Sequence, residues 1–490
     1  MYELKQKSTG NLIERLCAEL EREAIVYCQW KGHWKRHRWA TGEGDIDLLI
    51  DRAHGDRFTS IVYSLGFKQI IPAVHETPGS SHYYGFDRDL KKFVHLHVQY
   101  HITFGHYTTM NYHLPLERCV LEFARPNKFF RTPAPEFELI LFVLKTLLSS
   151  STWSLMIHNH ATQRAKVFEE LQHLYGLTQA DKLRHVLSTY FPIIDPTFFY
   201  LCLMSFEPHY SRWFQLRVRW ELEARLRAHL RQSKVLDSVK CLSTRVLNRL
   251  RISIRRRPLR SRLANGGKLI ALVGGDGAGK TTAARGLREW LSCGFATEIV
   301  HLGKPSKSGF TIIIAVVRRL VLLLSKLPIS DESVTDAGGR ITLRGYLLVL
   351  RSACIARDRF LVYSKARRMA SNGTLVICDR YPTTQIKSMD GPAIERLIGR
   401  ARKNWLISWL LRKEAMYYRQ IMPPETMVVM KVRPDIAVRR KTDEDPEYVH
   451  RRSQEVWGLD LREANTHVFD AGGEQAIVLN ELKDLVWSEL

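Results

Sequence analysis

A glycine-rich stretch past the middle of the 490-residue chain has the residue types and spacing of a phosphate-binding loop. In LVGGDGAGKTT, Gly274, Gly279, Lys280 and Thr281 fit the pattern G-x-x-x-x-G-K-[ST]. Glycines let backbone N–H groups approach phosphates without a Cβ clash, and a helix N-terminus adds partial positive charge. We expect Lys280 to contact the β- and γ-phosphates and Thr281 to bind Mg²⁺. The predicted nucleotide-binding residues are Gly274, Gly275, Asp276, Gly277, Ala278, Gly279, Lys280, Thr281 and Thr282.

A carboxylate and a guanidinium follow a later apolar run. TLVICD ends on Asp379, and Arg380 comes directly after it. A carboxylate at the carboxyl end of a strand, in the same sheet as the phosphate loop, is well placed near Mg²⁺. The adjacent guanidinium can bind a second phosphate bidentately. We therefore predict that Asp379 acts in catalysis and binds metal with Thr281, and that Arg380 acts in catalysis and contacts the acceptor.

A charged segment after the next apolar run supplies more cations. RPDIAVRRKTDEDPEYVHRR contains Arg439, Arg440, Lys441, Arg451 and Arg452. In a mobile lid, such arginines neutralise charge on the transferring phosphoryl group. On a solvated helix face they would instead pair with Glu444 and Glu447. Because the phosphate loop carries Asp276 and no arginine, we favour the lid and predict catalytic roles for Arg440 and Arg451.

The elements that must position these residues form an α/β pattern. Strand candidates are KLIALV, TEIVHL, TLVICD, TMVVMKV and THVFDA, with helical stretches between them. This alternation predicts a doubly wound sheet of five parallel strands flanked by helices over residues 267–490. The first strand precedes the phosphate loop and a helix pattern follows it, which is the context that this motif requires.

Four motifs of this region resemble those of the thymidylate kinase family: GGDGAGKTT, DRY, RPDIAVRR and FDAGG. The resemblance covers about residues 267–490 and implies a P-loop nucleoside monophosphate kinase. It implies that Lys280, Thr281 and Asp379 serve ATP and Mg²⁺. It also implies that Arg380 binds the acceptor phosphate and that Asp276 faces the acceptor.

The segments predicted to bind the acceptor are less similar to the thymidylate kinase family. Arg357 and Arg359, in IARDRF, fall near the family's base-contacting arginine and are predicted acceptor residues. However, the loop HLGKP differs from the family's loop, and residues 305–350 are longer and more apolar than expected. The expected reaction is dTMP + ATP to dTDP + ADP, or transfer to a related phosphorylated or hydroxylated acceptor.

Residues 1–105 contain a second motif with paired carboxylates. In GEGDIDLLI, Asp45 and Asp47 lie two apart on a strand and point to one face. The motif resembles that of polymerase-β-type nucleotidyltransferases, which implies an α+β domain with divalent metal on both aspartates. A later strand, KFVHLHVQY, has His95 and His97 where the family carries a third carboxylate. Two interpretations stay open: an active transferase, or a fold retained for binding.

A helical accessory region is predicted over residues 106–239 and a basic linker over residues 240–266. Residues 240–262 contain nine Lys or Arg and no acid. The segment could be a solvated connector, a contact with an anionic membrane or a contact with nucleic acid. The absence of aromatic residues disfavours a nucleic-acid partner.

Composition indicates a globular protein with anionic partners or a charge-solubilised surface. The net charge is +24, and 45% of the residues are hydrophobic. Eight cysteines without a CxxC pair suggest reduced thiols, and the first 20 residues lack the apolar core of a signal peptide. The run Phe310 to Leu327 carries Arg318 and Arg319 at its middle, which favours a buried or membrane-surface helix over a spanning one. We expect a cytoplasmic protein, with peripheral attachment at the inner membrane face as an alternative.

These features predict an ATP-dependent phosphotransferase that uses Mg²⁺ and a phosphorylated small-molecule acceptor, with a homodimer as one assembly option. Two alternatives stay open. One is a P-loop nucleotide-binding scaffold or switch that docks on membrane or nucleic acid; the other is a bifunctional nucleotidyltransferase-kinase. Chains that join these two domains occur among bacterial surface-polysaccharide biosynthesis proteins, and the whole chain resembles them.

Overall fold

The chain divides into two compact units, Met1–Ser261 and Arg262–Leu490. We refer to them as unit 1 and unit 2. The computed structural model describes residues 10–31, 44–73, 79–127, 129–149, 161–255, 260–324, 341–383, 391–399, 404–458 and 465–490.

Unit 1 contains a mixed sheet. Its strands are β1 (Tyr27–Gln29), β2 (Asp45–Ile50), β3 (Lys68–Ile71), β4 (Ser80–Asp87), β5 (Lys92–Gln99), β6 (Thr103–Phe104) and β7 (Tyr112–His113). The first five lie in the order β1-β2-β5-β4-β3. Strands β2 and β5 are parallel, whereas β1 with β2, β5 with β4 and β4 with β3 are antiparallel. The predicted strands at DIDLLI and FVHLHVQY therefore become adjacent partners.

Helices make up most of the rest of unit 1. They are α1 (Leu12–Arg22), α2 (Gly55–Ser64), α3 (Glu117–Glu122), α4 (Pro135–Ser149), α5 (Ala161–Leu177), α6 (Ala180–Tyr190), α7 (Pro196–Met204), α8 (Arg212–Arg225) and α9 (Lys234–Arg255), with 3₁₀ turns at Arg52–His54 and Leu226–His229. Most of the described residues between 106 and 239 are helical. The predicted linker begins inside α9, so its first part is helical.

The described residues of unit 1 form two apolar cores. Leu16 of α1 and Phe58 of α2 pack with Leu48 and Leu96 of the sheet. A larger core surrounds α4 and includes Phe137, Leu144, Leu187 and Phe199, together with Cys28 and Leu49 from the first two strands. Because side chains alternate along a strand, the sheet face opposite the first core carries polar residues of β2, β4 and β5.

Unit 2 contains the predicted parallel sheet. After the short strand β8 (Arg262–Leu263), the strands are β9 (Leu269–Gly274), β10 (Thr297–His301), β11 (Leu375–Asp379), β12 (Thr426–Lys431) and β13 (Thr466–Asp470). These last five form one sheet in the order β10-β11-β9-β12-β13, and all neighbours are parallel. The prediction of five parallel strands is confirmed. The phosphate loop follows the central strand.

Helices connect these strands. They are α10 (Lys280–Leu291), α11 (Gly309–Leu324), α12 (Leu343–Ser371), α13 (Ile394–Ile398), α14 (Trp405–Arg419), α15 (Pro434–Arg440), α16 (Pro446–Trp457) and α17 (Gln475–Glu489). Helix α11 contains most of the apolar run noted in the sequence. Its Thr311 and Ile314 are buried, but Phe310, Ile313 and Leu320 are exposed. Within the described ranges, no helix combines the length and the apolar character needed to cross a bilayer.

Candidate functional site

The phosphate loop has a backbone that only glycine adopts without strain. Gly277 and Gly279 have φ angles of 79° and 78°, in the left-handed region that side chains with a Cβ rarely occupy. A Cβ on Gly277 would also lie 2.6 Å from the carbonyl oxygen of Ala437. Gly279 is the N-cap of α10, so the loop leads directly to a helix N-terminus. Together with the parallel sheet, this arrangement is a P-loop kinase-like fold.

Lys280 is held inside this loop. Its Nζ donates hydrogen bonds to the carbonyl oxygens of Gly274 (2.9 Å) and Gly275 (2.6 Å). Burial, with a further contribution from the positive charge of Arg380, lowers the pKa of Lys280 to about 8. The ammonium is therefore poorly solvated, and a phosphate anion would stabilise its charged form.

Asp379 lies next to the start of α10, as the sequence predicts. It ends β11, the direct neighbour of β9, and its carboxylate Oδ2 accepts a hydrogen bond from Thr281 Oγ1 at 2.8 Å. The carboxylate is buried, and its Oδ1 has no hydrogen-bond partner among the described residues. A hydroxyl beside an unpartnered carboxylate oxygen is an oxygen donor set that suits Mg²⁺. Thr281 and Asp379 therefore fit the predicted metal ligands.

A histidine that the sequence analysis did not select also contacts this carboxylate. His301 Nε2 lies 3.0 Å from Asp379 Oδ2. His301 ends β10, and the register of β10 with β11 places it directly opposite Asp379. Both residues end apolar runs in the sequence, but only the strand order makes those runs adjacent.

Two guanidinium groups contact the buried aspartate of the phosphate loop. Arg380 Nη2 lies 3.1 Å from Asp276 Oδ1, and Arg452 Nη1 lies 2.8 Å from Asp276 Oδ2. Arg380 has a φ of 68°, a conformation that costs a residue with a side chain on the order of 1 kcal/mol or more. Such strain is common at functional sites, and here it accompanies an arginine next to the phosphate loop.

The charged segment after β12 folds into α15 and α16, and its arginines have different environments. Arg440 donates to the carbonyl oxygens of Ala471 (2.7 Å) and Gly472 (3.0 Å), in the loop after β13. Arg451 is exposed and lies over the ring of Tyr448 at 5.9 Å. Arg452, and not the predicted Arg451, is therefore the arginine of this pair that contacts the phosphate loop.

Helix phase explains this difference. Val449 and Val456 of α16 are buried. Residues three and four apart share a helix face, so Arg452, which is three after one valine and four before the other, faces inward with them. The apolar spacing in EYVHRRSQEVW was the signal that could have distinguished the two arginines.

An open cavity of about 590 Å³ lies beside the loop, a size within the usual range for small-molecule sites. Its walls include the loop, Arg380, Arg440 and the first turns of α17, among them Gln475 and Val478. The glycine loop, Lys280 and Thr281 thus border a space that can contain a nucleotide.

Two Escherichia coli proteins are similar in sequence to part of this chain. It is 30% identical over 187 residues to the uncharacterized ATP-binding protein YghR of Escherichia coli strain K12, a match that covers 36% of this chain and 70% of YghR. The chain belongs to the YghR family. The uncharacterized ATP-binding protein YghS of the same strain is 28% identical over 186 residues, which cover 36% of this chain and 74% of YghS.

Other comparisons add less. No protein-family model matches this YghR-family chain. Among solved structures, a thymidylate kinase from Candida albicans covers 46% of the chain and 90% of its own length, at 18% identity and a TM-score of 0.28. A similarity at that level does not assign an activity.

The two arginines predicted to contact the acceptor differ in how far they are buried. Arg359 is buried, and it donates to the carbonyl oxygens of Leu302 (2.6 Å) and Gly303 (3.0 Å) and to the Tyr418 hydroxyl. It therefore anchors the loop after β10. Arg357 is exposed. An acceptor contact by either residue stays a prediction.

In unit 1 the predicted metal-binding carboxylates are paired with histidines. Asp45 Oδ1 lies 2.6 Å from His95 Nδ1, and Asp47 Oδ1 lies 2.8 Å from His97 Nδ1, because the parallel register of β2 and β5 places each pair side by side. Lys31 Nζ lies 3.5 Å from Asp47 Oδ1. Burial raises the pKa of Asp47, but Lys31 and His97 outweigh it and hold this pKa far below its usual range.

These pairs leave the metal assignment of Asp45 and Asp47 without further support. Among the described residues, the cluster of at least three candidate ligands close enough to share an ion is His101, His113 and Glu117. In that cluster Glu117 Oε1 already accepts the backbone N–H of Ile102 at 2.7 Å and lies 3.0 Å from His113 Nε2. Internal hydrogen bonds thus account for its geometry.

Proposed function

We propose that the protein is an ATP-dependent phosphotransferase whose unit 2 resembles thymidylate kinase. It would transfer the γ-phosphoryl group of ATP to dTMP or a related phosphorylated acceptor. The observation that carries this proposal is the hydrogen bond from Thr281 to Asp379 beside the glycine loop, with one carboxylate oxygen of Asp379 unpartnered among the described residues. The names of the YghR and YghS relatives, both ATP-binding proteins, support ATP as the donor.

Each residue then has a defined task. The backbone N–H groups of the loop and Lys280 bind the triphosphate, and Thr281 and Asp379 would hold Mg²⁺, which neutralises phosphate charge when bound. An acceptor oxygen attacks the γ-phosphorus while the bond to the β,γ-bridging oxygen breaks, so that ADP leaves. Because both guanidinium groups already lie beside Asp276, Arg380 can bind the acceptor phosphate and Arg452 can stabilise charge on the transferring group.

We assign unit 1 a binding role, not nucleotidyl transfer. Both aspartates of its motif are engaged by histidine, and Asp47 has a lysine partner as well. The resemblance of the whole chain to bacterial surface-polysaccharide biosynthesis proteins supports a place in such a pathway, in the cytoplasm. Manganese-dependent pyrophosphate release that is lost in Asp45→Asn would overturn this assignment.

ADP release in a coupled assay tests the kinase proposal. The full chain is incubated with ATP and Mg²⁺ and a panel of acceptors that includes dTMP, other nucleoside monophosphates and phosphorylated sugars. We expect one acceptor class to stimulate ADP release, and Lys280→Ala to abolish the stimulation. Arg285→Ala is the matched control, because Arg285 is an exposed cation of the same helix and does not line the cavity.

The same assay separates the kinase from a nucleotide-dependent scaffold or switch. A scaffold would hydrolyse ATP slowly and at a rate that no acceptor changes. Such a result, or equal ADP release from wild-type protein and Lys280→Ala, would reject the phosphotransferase.

A further inference from the structure

Helix α9 of unit 1 exposes its apolar side chains. The side chains concerned have exposed fractions of 48% to 73%, and they are Val235, Leu236, Val239, Leu242, Val246, Leu247 and Leu250. At about 100° of rotation per residue, they cover about 140° of the helix circumference. This is one continuous stripe and not a scatter of single exposed residues.

The opposite face of α9 is polar and packs on unit 1. Asp237, Cys241, Thr244 and Asn248 follow the spacing of one helix face and are partly buried. Cys241 Sγ lies 3.0 Å from Thr108 Oγ1. The helix is therefore inverted relative to an ordinary surface helix, which buries its apolar stripe and exposes its polar one.

A second contact fixes this orientation. Arg245 Nη2 lies 2.7 Å from His106 Nε2, in the same loop that contacts Cys241. Contacts from two successive turns of α9 thus hold its polar side against residues 106–109. The exposed stripe is a consequence of this packing.

Cations border the stripe on both sides. By helix rotation, Lys240 lies on one flank and Arg249 lies on the other. Asp237, the single acidic residue in the sequence of α9, belongs to the inward face. The outward surface is thus an apolar band between positive charges, which is the pattern of helices that lie in the interface of a bilayer.

We propose that α9 binds the surface of an anionic lipid bilayer. Its apolar stripe enters the boundary between headgroups and acyl chains, and its flanking cations contact anionic headgroups. The helix lies in the membrane plane, consistent with the finding that no described helix is suited to span a bilayer. This inference does not depend on the proposed kinase activity.

Charge favours a bilayer over two other occupants. A second copy of the chain, docked by the same patch, would bring the cations of both helices together. A nucleic acid would satisfy the cations but leave the apolar stripe in water, and α9 contains no aromatic residue for base stacking. An anionic bilayer satisfies both the stripe and its flanks.

Vesicle flotation of the full chain tests the proposal. Vesicles of phosphatidylcholine alone are compared with vesicles that contain about 30% phosphatidylglycerol, at low and high salt. We expect binding to the anionic vesicles that weakens with salt. The triple variant Val239→Ser, Leu242→Ser, Val246→Ser should lose about tenfold or more in partitioning, and Lys240→Gln with Arg249→Gln should lose severalfold.

A matched control uses the exposed apolar residues of α11 in unit 2. Ile312→Ser, Val316→Ser, Leu320→Ser removes three exposed apolar side chains of another helix and should leave vesicle binding unchanged. Circular dichroism and thermal melting check that each variant is folded, which is expected because the replaced side chains are exposed.

Four outcomes would overturn the proposal. Wild-type protein could fail to bind anionic vesicles, or the α9 triple variant could bind like wild type. The α11 variant could lose binding while the α9 variants retain it. Finally, size-exclusion chromatography could show a dimer that the α9 triple variant converts to a monomer, which would assign the stripe to a second copy.

Discussion

The two units contain the same pair of side chains in the same register, yet the pairs differ in what surrounds them. In unit 2, His301 of β10 lies beside Asp379 of β11; in unit 1, His97 of β5 lies beside Asp47 of β2. Each pair joins directly opposed residues of two parallel strands. A carboxylate next to a histidine on adjacent strands therefore does not by itself identify a functional site.

The surroundings decide what each carboxylate can bind. Asp379 accepts from Thr281 and keeps one oxygen without a partner among the described residues, beside the glycine loop. Asp47 already lies near the ammonium of Lys31. A carboxylate with a lysine partner has much of its charge compensated. It therefore attracts a divalent cation less than a buried carboxylate that accepts from a hydroxyl and keeps one oxygen without a partner among the described residues.

The largest effect is expected from Lys280→Ala in unit 2. We propose that this buried cation binds the β- and γ-phosphates, so its removal should lower acceptor-stimulated turnover by about 10³-fold and weaken ATP binding, measured by isothermal titration calorimetry. Lys31→Ala is the counterpart in unit 1 and should leave ATP affinity within about twofold, because its partner is Asp47. An equal loss of ATP affinity in Lys280→Ala and Lys31→Ala would contradict the proposal that unit 2, and not unit 1, binds ATP.

The phosphate loop and the sheet could be predicted because local chemistry determines them. The glycines of the loop and the apolar run before a helix pattern are visible around LVGGDGAGKTT, and the five strands are short apolar runs separated by helical patterns. Asp379 was also predictable, since it directly ends such a run.

Other parts depend on long-range packing and could not be predicted in the same way. His301 contacts Asp379 only because the strand order places β10 beside β11. The amphipathic pattern of α9 is visible in the sequence, but which face turns inward depends on residues 106–109. The burial of Arg359, which anchors the loop after β10, likewise follows from the packing of α12.

Asp379→Asn should give the next largest effect. The amide keeps the shape of the side chain but removes the negative charge, so turnover should fall by about 10²-fold and the dependence on Mg²⁺ concentration should move to higher values. Initial rates over a Mg²⁺ series provide the measurement. Asp47→Asn is the matched change in unit 1 and should leave this series unaltered; a parallel shift there would mean that both carboxylates bind the metal needed for turnover.

Arg452→Ala should lower turnover by about 10- to 100-fold. This loss is smaller than that expected for the preceding variants, because Arg380 still contacts Asp276 after the change. Arg451→Ala, one residue earlier on the same helix, should change turnover by less than about threefold, since this side chain is exposed over Tyr448. Steady-state kinetics of both variants compare the two faces of α16 directly. A larger loss of turnover in Arg451→Ala than in Arg452→Ala would support the sequence-based prediction that Arg451 acts in catalysis.

The smallest expected effect is a pH dependence of ATP affinity. Burial lowers the pKa of both Lys280 and Lys31 to about 8, but only Lys280 lies in the phosphate loop. Its cationic form is lost as pH rises through about 8, whereas bound phosphate favours that form and raises its pKa. By linkage, ATP affinity should be constant below about pH 7 and should fall above pH 8, by at most about tenfold per pH unit.

Calorimetric titrations between pH 7 and about pH 9.5 measure this slope. In Lys280→Arg the guanidinium keeps its charge throughout the range, so the slope should disappear even if the absolute affinity is lower. In Lys31→Met the slope should persist, because Lys31 lies beside Asp47 in unit 1 and is not part of the phosphate loop. If the pH dependence of ATP affinity persisted in Lys280→Arg but disappeared in Lys31→Met, nucleotide binding would have to be assigned to unit 1 and not to unit 2.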